Sequence, residues 1–304
     1  MGRDDFRKRL IRLLIAAGNL QRLLLGCLLT VIGPAGAYRL MGFGARCIYT
    51  LLDPLRHRCE DQCRAALTTT PGGADAASVA RQSFVQRVHN LTDLLLAPRL
   101  LHPSTVAHYG GALPRELLER LRSAQRRKQP VILVTAYYGP YDLLPVFLGY
   151  NGVRAAVVYR PHANAGFDAI RQRVRTRSGC AMIPDRAAAG EIAEKLENGG
   201  VVALVADRHM ERRGIPLTFL GQETTASRSV GLLAEHYRAD VVVAGIRRTR
   251  RPFHFQFVVT DVFKCAAWRD RNDPVAYITT RYMRSLEKLI LRDPTQYLWG
   301  RART

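Results

Sequence analysis

Four residues stand where apolar runs break abruptly into polar sequence. Val131–Asp142 reads VILVTAYYGPYD, and Tyr137 and Asp142 close it. Arg160 follows the run Val153–Tyr159, and Asp207 follows Val201–Ala206. Runs of this length read as strands, and in an open α/β sheet ligands sit at the carboxyl ends of strands. The four residues would then face one mouth. A carboxylate there can orient a neighbouring group or neutralise it, and a guanidinium can hold a phosphate or a developing oxyanion through paired N–H donors. Gly139-Pro140 forces a turn, and an acidic residue in a first helical turn is favoured by the exposed backbone N–H groups. An ordinary strand-to-helix loop with a capping Asp is the plain alternative.

The positioning elements alternate regularly. Strands are expected at 131–135, 153–159, 181–183, 201–206, 241–246 and 253–259. Helices are expected at 77–96, 113–127, 141–149, 165–178, 186–198, 226–238 and 274–291. Pro98 should end the first helix, and Gly199-Gly200 should stop the one before the 201–206 strand. Strands alternating with helices of 10–15 residues predict a mostly parallel central sheet covered by helices on both faces. The helix at 165–178 carries Arg171, Arg173, Arg175 and Arg177 towards the same mouth. Such a run is mostly a solvated face, in which only one or two members need matter.

The N-terminal region differs. Arg3, Arg7, Lys8, Arg9 and Arg12 precede a mostly apolar run from Leu13 to Leu40, and the apolar pattern resumes over Met41–Leu52. Its longest uncharged piece, Leu23–Tyr38, is sixteen residues, short of the roughly 20 that a spanning helix needs. Residues 1–60 therefore read as a membrane-embedded or interfacial helical anchor with its basic end held at the cytoplasmic side, and 61–304 as the α/β domain. Two amphipathic helices folded on that domain are the alternative.

A formal charge of +21 arises from 46 basic residues, of which only Lys8, Lys128, Lys195, Lys264 and Lys288 are lysines. Guanidinium forks suit phosphates and carboxylates, and a field of this size attracts anionic surfaces and acidic proteins. Nucleic acid competes on charge alone, but no zinc-finger spacing, aromatic RNA-binding block or basic heptad array supports it. Cys59, Cys63 and the nearby His57 lack a second pair to complete a metal site, so scattered reduced thiols are expected and no metal is implied. Nucleotide-binding glycine loops, HExxH and GxSxG are all absent.

Residues 135–144, TAYYGPYDLL, resemble the block T-x-H-F-G-N-W-E/D-L of the bacterial lipid A lauroyl/myristoyl acyltransferase family, within the lysophospholipid acyltransferase superfamily. Thr135, Gly139 and Asp142 match, while Tyr137 stands at the histidine position. Tyr159-Arg160-Pro161 with Asn164 resembles Y-R-P-x-x-N, and Asp207-Arg208 resembles D-Q/D-R. Pro216–Gly221 with Phe219 resembles the P-F-F-G loop that lines the family's acyl groove. Pro294–Arg303 resembles P-E-Q-Y-x-W-x-H-R-R, departing at Thr295, Arg301 and Ala302.

The resemblance implies a membrane-associated acyltransferase on the cytoplasmic face of the bacterial inner membrane. It would move a fatty acyl chain from acyl carrier protein or acyl-CoA to a hydroxyl of a membrane glycolipid or phospholipid, as in lipid A biosynthesis, with no cofactor. By the same resemblance Tyr137, Asp142, Arg160 and Asp207 are the catalytic candidates. Thr135, Gly139, Tyr159, Asn164, Arg208, Phe219 and Gly221 are the candidates for substrate binding. A tyrosine ionises near pH ~10, so acting as a base at neutral pH would need cations such as Arg160 and Arg208 nearby. His162 and His209 are substitute bases. A catalytically inactive lipid-binding protein on the same fold is the other reading.

Overall fold

The computed structural model describes residues 25–68, 75–186, 188–208 and 214–300. The basic residues at 3–12, the apolar start at Leu13, His209, Arg301 and Ala302 lie outside them. Six strands form the central sheet: β1 (Val131–Thr135), β2 (Ala155–Tyr159), β3 (Ala181–Pro184), β4 (Val201–Val205), β7 (Asp240–Arg248) and β8 (Phe255–Phe263). Their order is β3-β2-β4-β1-β7-β8, parallel throughout except that β8 runs antiparallel on β7. All five residues of β1 are buried, as an apolar strand covered on both faces requires.

The helices are α1 (Gly33–Leu51), α2 (Asp53–Leu67), α3 (Ala76–Leu100), α4 (Arg115–Arg126), α5 (Leu144–Tyr150), α6 (Ala165–Thr176), α7 (Ala188–Glu197), α8 (Ser229–His236) and α9 (Pro274–Arg292). They divide between two apolar cores, one on each face of the sheet. Leu121, Phe147 and Val174 of α4, α5 and α6 join one core, while Ile192, Val230 and Leu286 of α7, α8 and α9 join the other. Helices following β1 and β2 thus cover one face, and those following β3 and β4 cover the opposite one. Connections that diverge in this way open a crevice at the strand ends.

Several boundaries differ from expectation for local reasons. Asp75 accepts the N–H groups of Ala77 and Ser78 and starts α3. The helix then runs through Pro98 to Leu100 instead of stopping before the proline. Residues 141–143 form a single 3-10 turn before α5 begins. The segment Pro216–Gly221, expected as a loop, belongs to a two-stranded hairpin, β5 (Ile215–Phe219) and β6 (Gln222–Ala226). Its turn residues Leu220 and Gly221 both hold positive φ, 52° and 71°, as a two-residue hairpin turn demands. Leu-Gly is not the usual sequence for that turn. Here the Leu220 N–H donates to Glu287 at 2.6 Å, and a Cβ on Gly221 would lie 2.2 Å from the Ala65 carbonyl oxygen.

A buried polar cluster ties the N-terminal helices to the sheet. Arg248, at the end of β7, pairs with Asp93 of α3 and donates to Asn90 at 2.7 Å and to Gln86. Tyr38 of α1 donates to Asp93 as well. The Arg248 backbone is matched in both directions by the Gln296 amide, at 2.6 and 2.8 Å. Asp93 is fully buried, so its charge must be met inside the protein.

The outer side of the N-terminal layer is apolar. Residues 25–31 are helical, and Val31, Phe43 and Leu51 are 84%, 66% and 79% exposed. Leu28, Leu40 and Ile48 extend the stripe, with Arg39 and Arg46 exposed beside it. Among the described residues no helix is long and apolar enough to cross a membrane. From residue 25 onward the region expected as an anchor forms a helical layer with an exposed apolar stripe.

Removing Asp93 from the buried cluster leaves Arg248 charged and buried without its counter-charge. Asp93→Ala is expected to cost about 3–5 kcal/mol of unfolding free energy, measured by chemical denaturation. Arg115→Ala, whose pairing with Glu119 is solvent-exposed, should cost under about 1 kcal/mol.

Candidate active site

The strand-end loop after β1 is held from behind by the C-terminal segment. Gly139 donates its N–H to the Gln296 carbonyl at 2.9 Å, and Leu298 donates to the Tyr137 carbonyl at 3.0 Å. Tyr138 and Tyr297 form an isolated antiparallel bridge between these hydrogen bonds. Gly139 has φ +53°, and a Cβ there would lie 2.0 Å from the Ile246 carbonyl oxygen. Only glycine allows the loop to approach β7 this closely. With the loop fixed, Tyr138 turns into the core and Tyr137 stands half-buried on the other side.

Asp207 completes this frame from the end of β4. It is buried, and its Oδ2 accepts the Tyr137 N–H at 3.2 Å and the Tyr297 hydroxyl at 3.0 Å. Its carboxylate thereby positions the backbone of Tyr137. The Tyr137 ring meets Tyr141 edge-on, with centroids 4.9 Å apart. Burial, reinforced by the Asp142 carboxylate, pushes the Tyr141 hydroxyl well above the ordinary tyrosine range, which keeps it neutral.

Asp142 is engaged by two arginines of α6. Arg171 donates to Oδ1 at 2.7 Å, and Arg175 donates to the same oxygen. Burial alone would raise the Asp142 carboxyl. The two guanidinium groups outweigh that and hold it below the usual carboxylate range. Arg171 and Arg175 lie one turn apart on α6, whose start is set by Asn164 accepting the Phe167 N–H at 2.9 Å. Asn164 is thus a helix cap, and its side chain works through α6.

A cavity of about 90 Å³ opens between these groups. Tyr137, Tyr141, Arg171 and Arg175 line it together with Thr135, Tyr159, Arg160 and Arg208, and its apolar wall includes Leu144, Val157 and Met182. Burial raises the Tyr159 hydroxyl above its ordinary value. Arg160 is half-exposed, and both it and Arg208 reach Oδ2 of Asp185, at 3.9 and 3.8 Å. Asp185 follows β3 and was not singled out in the sequence, since the run it closes is only four residues long. His162 is exposed, and its Nδ1 accepts the Asn164 N–H at 3.0 Å.

Thr135, Tyr137, Tyr159, Arg160 and Arg208 are therefore brought to one cavity, with Asp142 and Asp207 behind it. Phe219 and Gly221 are not among its lining residues; Phe219 packs in the core face of the hairpin. Among the described residues no group of three His, Cys, Asp or Glu side chains could hold a metal ion. The arrangement offers a hydroxyl, guanidinium donors and an apolar wall, a set suited to an oxygen-bearing group on a hydrocarbon chain.

Comparison with known proteins agrees with this picture. The sequence model of the family described as bacterial lipid A biosynthesis acyltransferase matches residues 108–303. The lipid A biosynthesis palmitoleoyltransferase of Escherichia coli (strain K12) is 27% identical over 187 residues, covering 60% of this chain and 58% of that protein. A lipid A biosynthesis acyltransferase of Shigella flexneri matches to the same extent. The match thus spans under two thirds of the length of these relatives.

Asp142→Asn should destabilise the protein by about 3–5 kcal/mol at neutral pH, because two buried guanidinium groups lose their counter-charge. The sign with pH follows from the lowered folded value. The contribution of Asp142 is fully present above the unfolded carboxylate pKa of about 4 and is lost as pH falls below it through the folded value. Denaturation curves between pH 7 and pH 2 should therefore converge for wild type and Asp142→Asn at the acid end.

Proposed function

The chain belongs to the bacterial lipid A biosynthesis acyltransferase family, and we propose that it transfers a fatty acyl group from an acyl thioester to a hydroxyl of a membrane glycolipid. The observation that carries this reading is the convergence of Tyr137, Arg160 and Arg208 on one strand-end cavity, with Asp142 and Asp207 behind it. In the reaction the acceptor oxygen bonds to the thioester carbonyl carbon, the carbon–sulfur bond breaks, and the hydroxyl proton ends on the departing thiol. Tyr137 is the group we place on that proton path. A neutral phenol can accept a proton from the acceptor hydroxyl while passing its own to the sulfur, so no free tyrosinate is needed.

Asp142 does not serve as the orienting partner of Tyr137 in this reading, because its ionised oxygen is engaged by two arginines. Asp207 takes the positioning task through the Tyr137 backbone. The donor is an acyl carrier protein or acyl-CoA; the charge of +21 favours the protein carrier, whose anionic surface is wider. The acceptor reaches the site from a membrane on which the 25–51 layer rests, its apolar stripe in the interface and its arginines at the anionic headgroups. A lipid-binding protein without turnover is the second reading, favoured by the tyrosine at the position where the family block has histidine.

Acyl transfer with one matched donor and acceptor separates the two. We expect measurable turnover in wild type and a fall in kcat of about 10²–10⁴-fold in Tyr137→Phe, the usual worth of acid–base assistance. No turnover in wild type, with activity appearing in Tyr137→His, would establish the inactive reading. Membrane contact is checked separately by co-sedimentation with anionic vesicles. The combined substitution Val31→Asp, Phe43→Asp, Leu51→Asp is expected to weaken vesicle binding by more than tenfold, while thermal unfolding stays within about 2 °C because the three side chains are largely exposed.

A further inference from the structure

We propose that Arg171 and Arg175 form a buried site for a singly charged oxyanion on an alkyl chain, and so receive the acyl head group. The inference rests on the acyl-transfer reading for its biological ligand, but not for its geometry. Arg175 is 4% exposed and Arg171 8%. Among the described residues, Nε and Nη1 of Arg175 and Nε of Arg171 have no hydrogen-bond acceptor, and both side chains line the cavity. Among the described residues the only carboxylate in ion-pair contact with them is Asp142, through one oxygen. The ring faces of Phe167 and Tyr159, 5.8 and 5.6 Å from the two guanidinium carbons, supply weak contacts.

Two guanidinium groups on one carboxylate leave one positive charge inside the fold. A buried guanidinium with idle donors is costly unless an anion meets it, and its planar fork suits carboxylate-like oxygens. Charge balance selects a monoanion. The apolar wall of Leu144, Pro145, Val157 and Met182 selects one borne on hydrocarbon over a free inorganic ion. The oxygen of a tetrahedral intermediate carries that charge during acyl transfer, and a fatty carboxylate carries it after hydrolysis. Arg160, half-exposed and already facing Asp185, is placed at the rim, outside this inner site.

Titration calorimetry with the full chain, using decanoate, 1-decanol and inorganic phosphate as probes, tests the assignment. Wild type should bind decanoate at least tenfold more tightly than either of the others. Arg175→Gln removes the excess charge and leaves the Asp142–Arg171 pair intact, so it should fold and lose decanoate binding by at least tenfold. Arg173→Gln, an exposed position on the same helix, should bind as wild type does. Should the glutamine variant not fold, Arg175→Lys keeps the charge on Asp142, lacks the fork and should weaken decanoate about tenfold. Equal binding of decanoate and decanol, phosphate binding as tight as decanoate, or unchanged binding in the Arg175 variant overturns the proposal. Selective decanoate binding without any acyl transfer leaves this site standing and removes the enzymatic reading. Turnover without selective binding does the reverse.

Discussion

The strand-end cavity depends on one buried carboxylate held by two guanidinium groups. Asp142 sits in the short turn between β1 and α5, while Arg171 and Arg175 belong to α6, which follows β2. Their pairing therefore fixes the distance between two successive strand-to-helix units on the same face of the sheet. An ion pair in low dielectric is strong only when its geometry is good and its desolvation is met. Here the geometry is supplied by helix spacing, because residues four apart on α6 present both side chains to one point. The wall of the cavity is built by the same arrangement that gives it its charge.

This arrangement also bears on the tyrosine that stands in place of histidine. A histidine needs a partner acceptor to set its tautomer and raise its basicity. A neutral phenol needs neither, since one oxygen both donates and accepts. The carboxylate five residues on is then free to anchor arginines. The backbone of residue 137 is held by Asp207, itself bonded by Tyr297, through an N–H that any residue but proline at that position would offer.

Much of the sheet was legible from the sequence because its strands are buried on both faces and so appear as continuous apolar runs. Val131–Thr135 and Val201–Val205 are of this kind, and the polar residues that end them mark the site mouth. What was not legible depended on tertiary context. The β5–β6 hairpin pairs β5 with a polar strand, Gln222–Ala226, that shows no alternation of burial, and its Leu-Gly turn is stabilised by Glu287 from a distant helix, so the local signal is weak. The ion pairs of Asp142 were not legible because its partners lie 29 and 33 positions away. Among Arg171, Arg173, Arg175 and Arg177, the sequence could not distinguish the buried pair, Arg171 and Arg175, from the exposed pair, which only the rotation of α6 against the sheet decides. Tyr137 and Arg160 were found where expected, since both lie immediately after strands. Phe219 and Gly221 were displaced from the cavity lining by the same hairpin.

The bridge between Tyr138 and Tyr297 joins the first strand-end loop to almost the last described residues of the chain. Its neighbours, the hydrogen bonds from Gly139 to Gln296 and from Leu298 to Tyr137, leave no part of that loop independently supported on this side. During synthesis the sheet can pair β1 with β4 and β7 well before residue 297 exists. The loop after β1 takes the form described here only with residues 296–298 laid against it. Loss of residues 296–298 would thus leave the β1 pairings with β4 and β7 in place while removing the contacts that hold the Tyr137–Gly139 backbone.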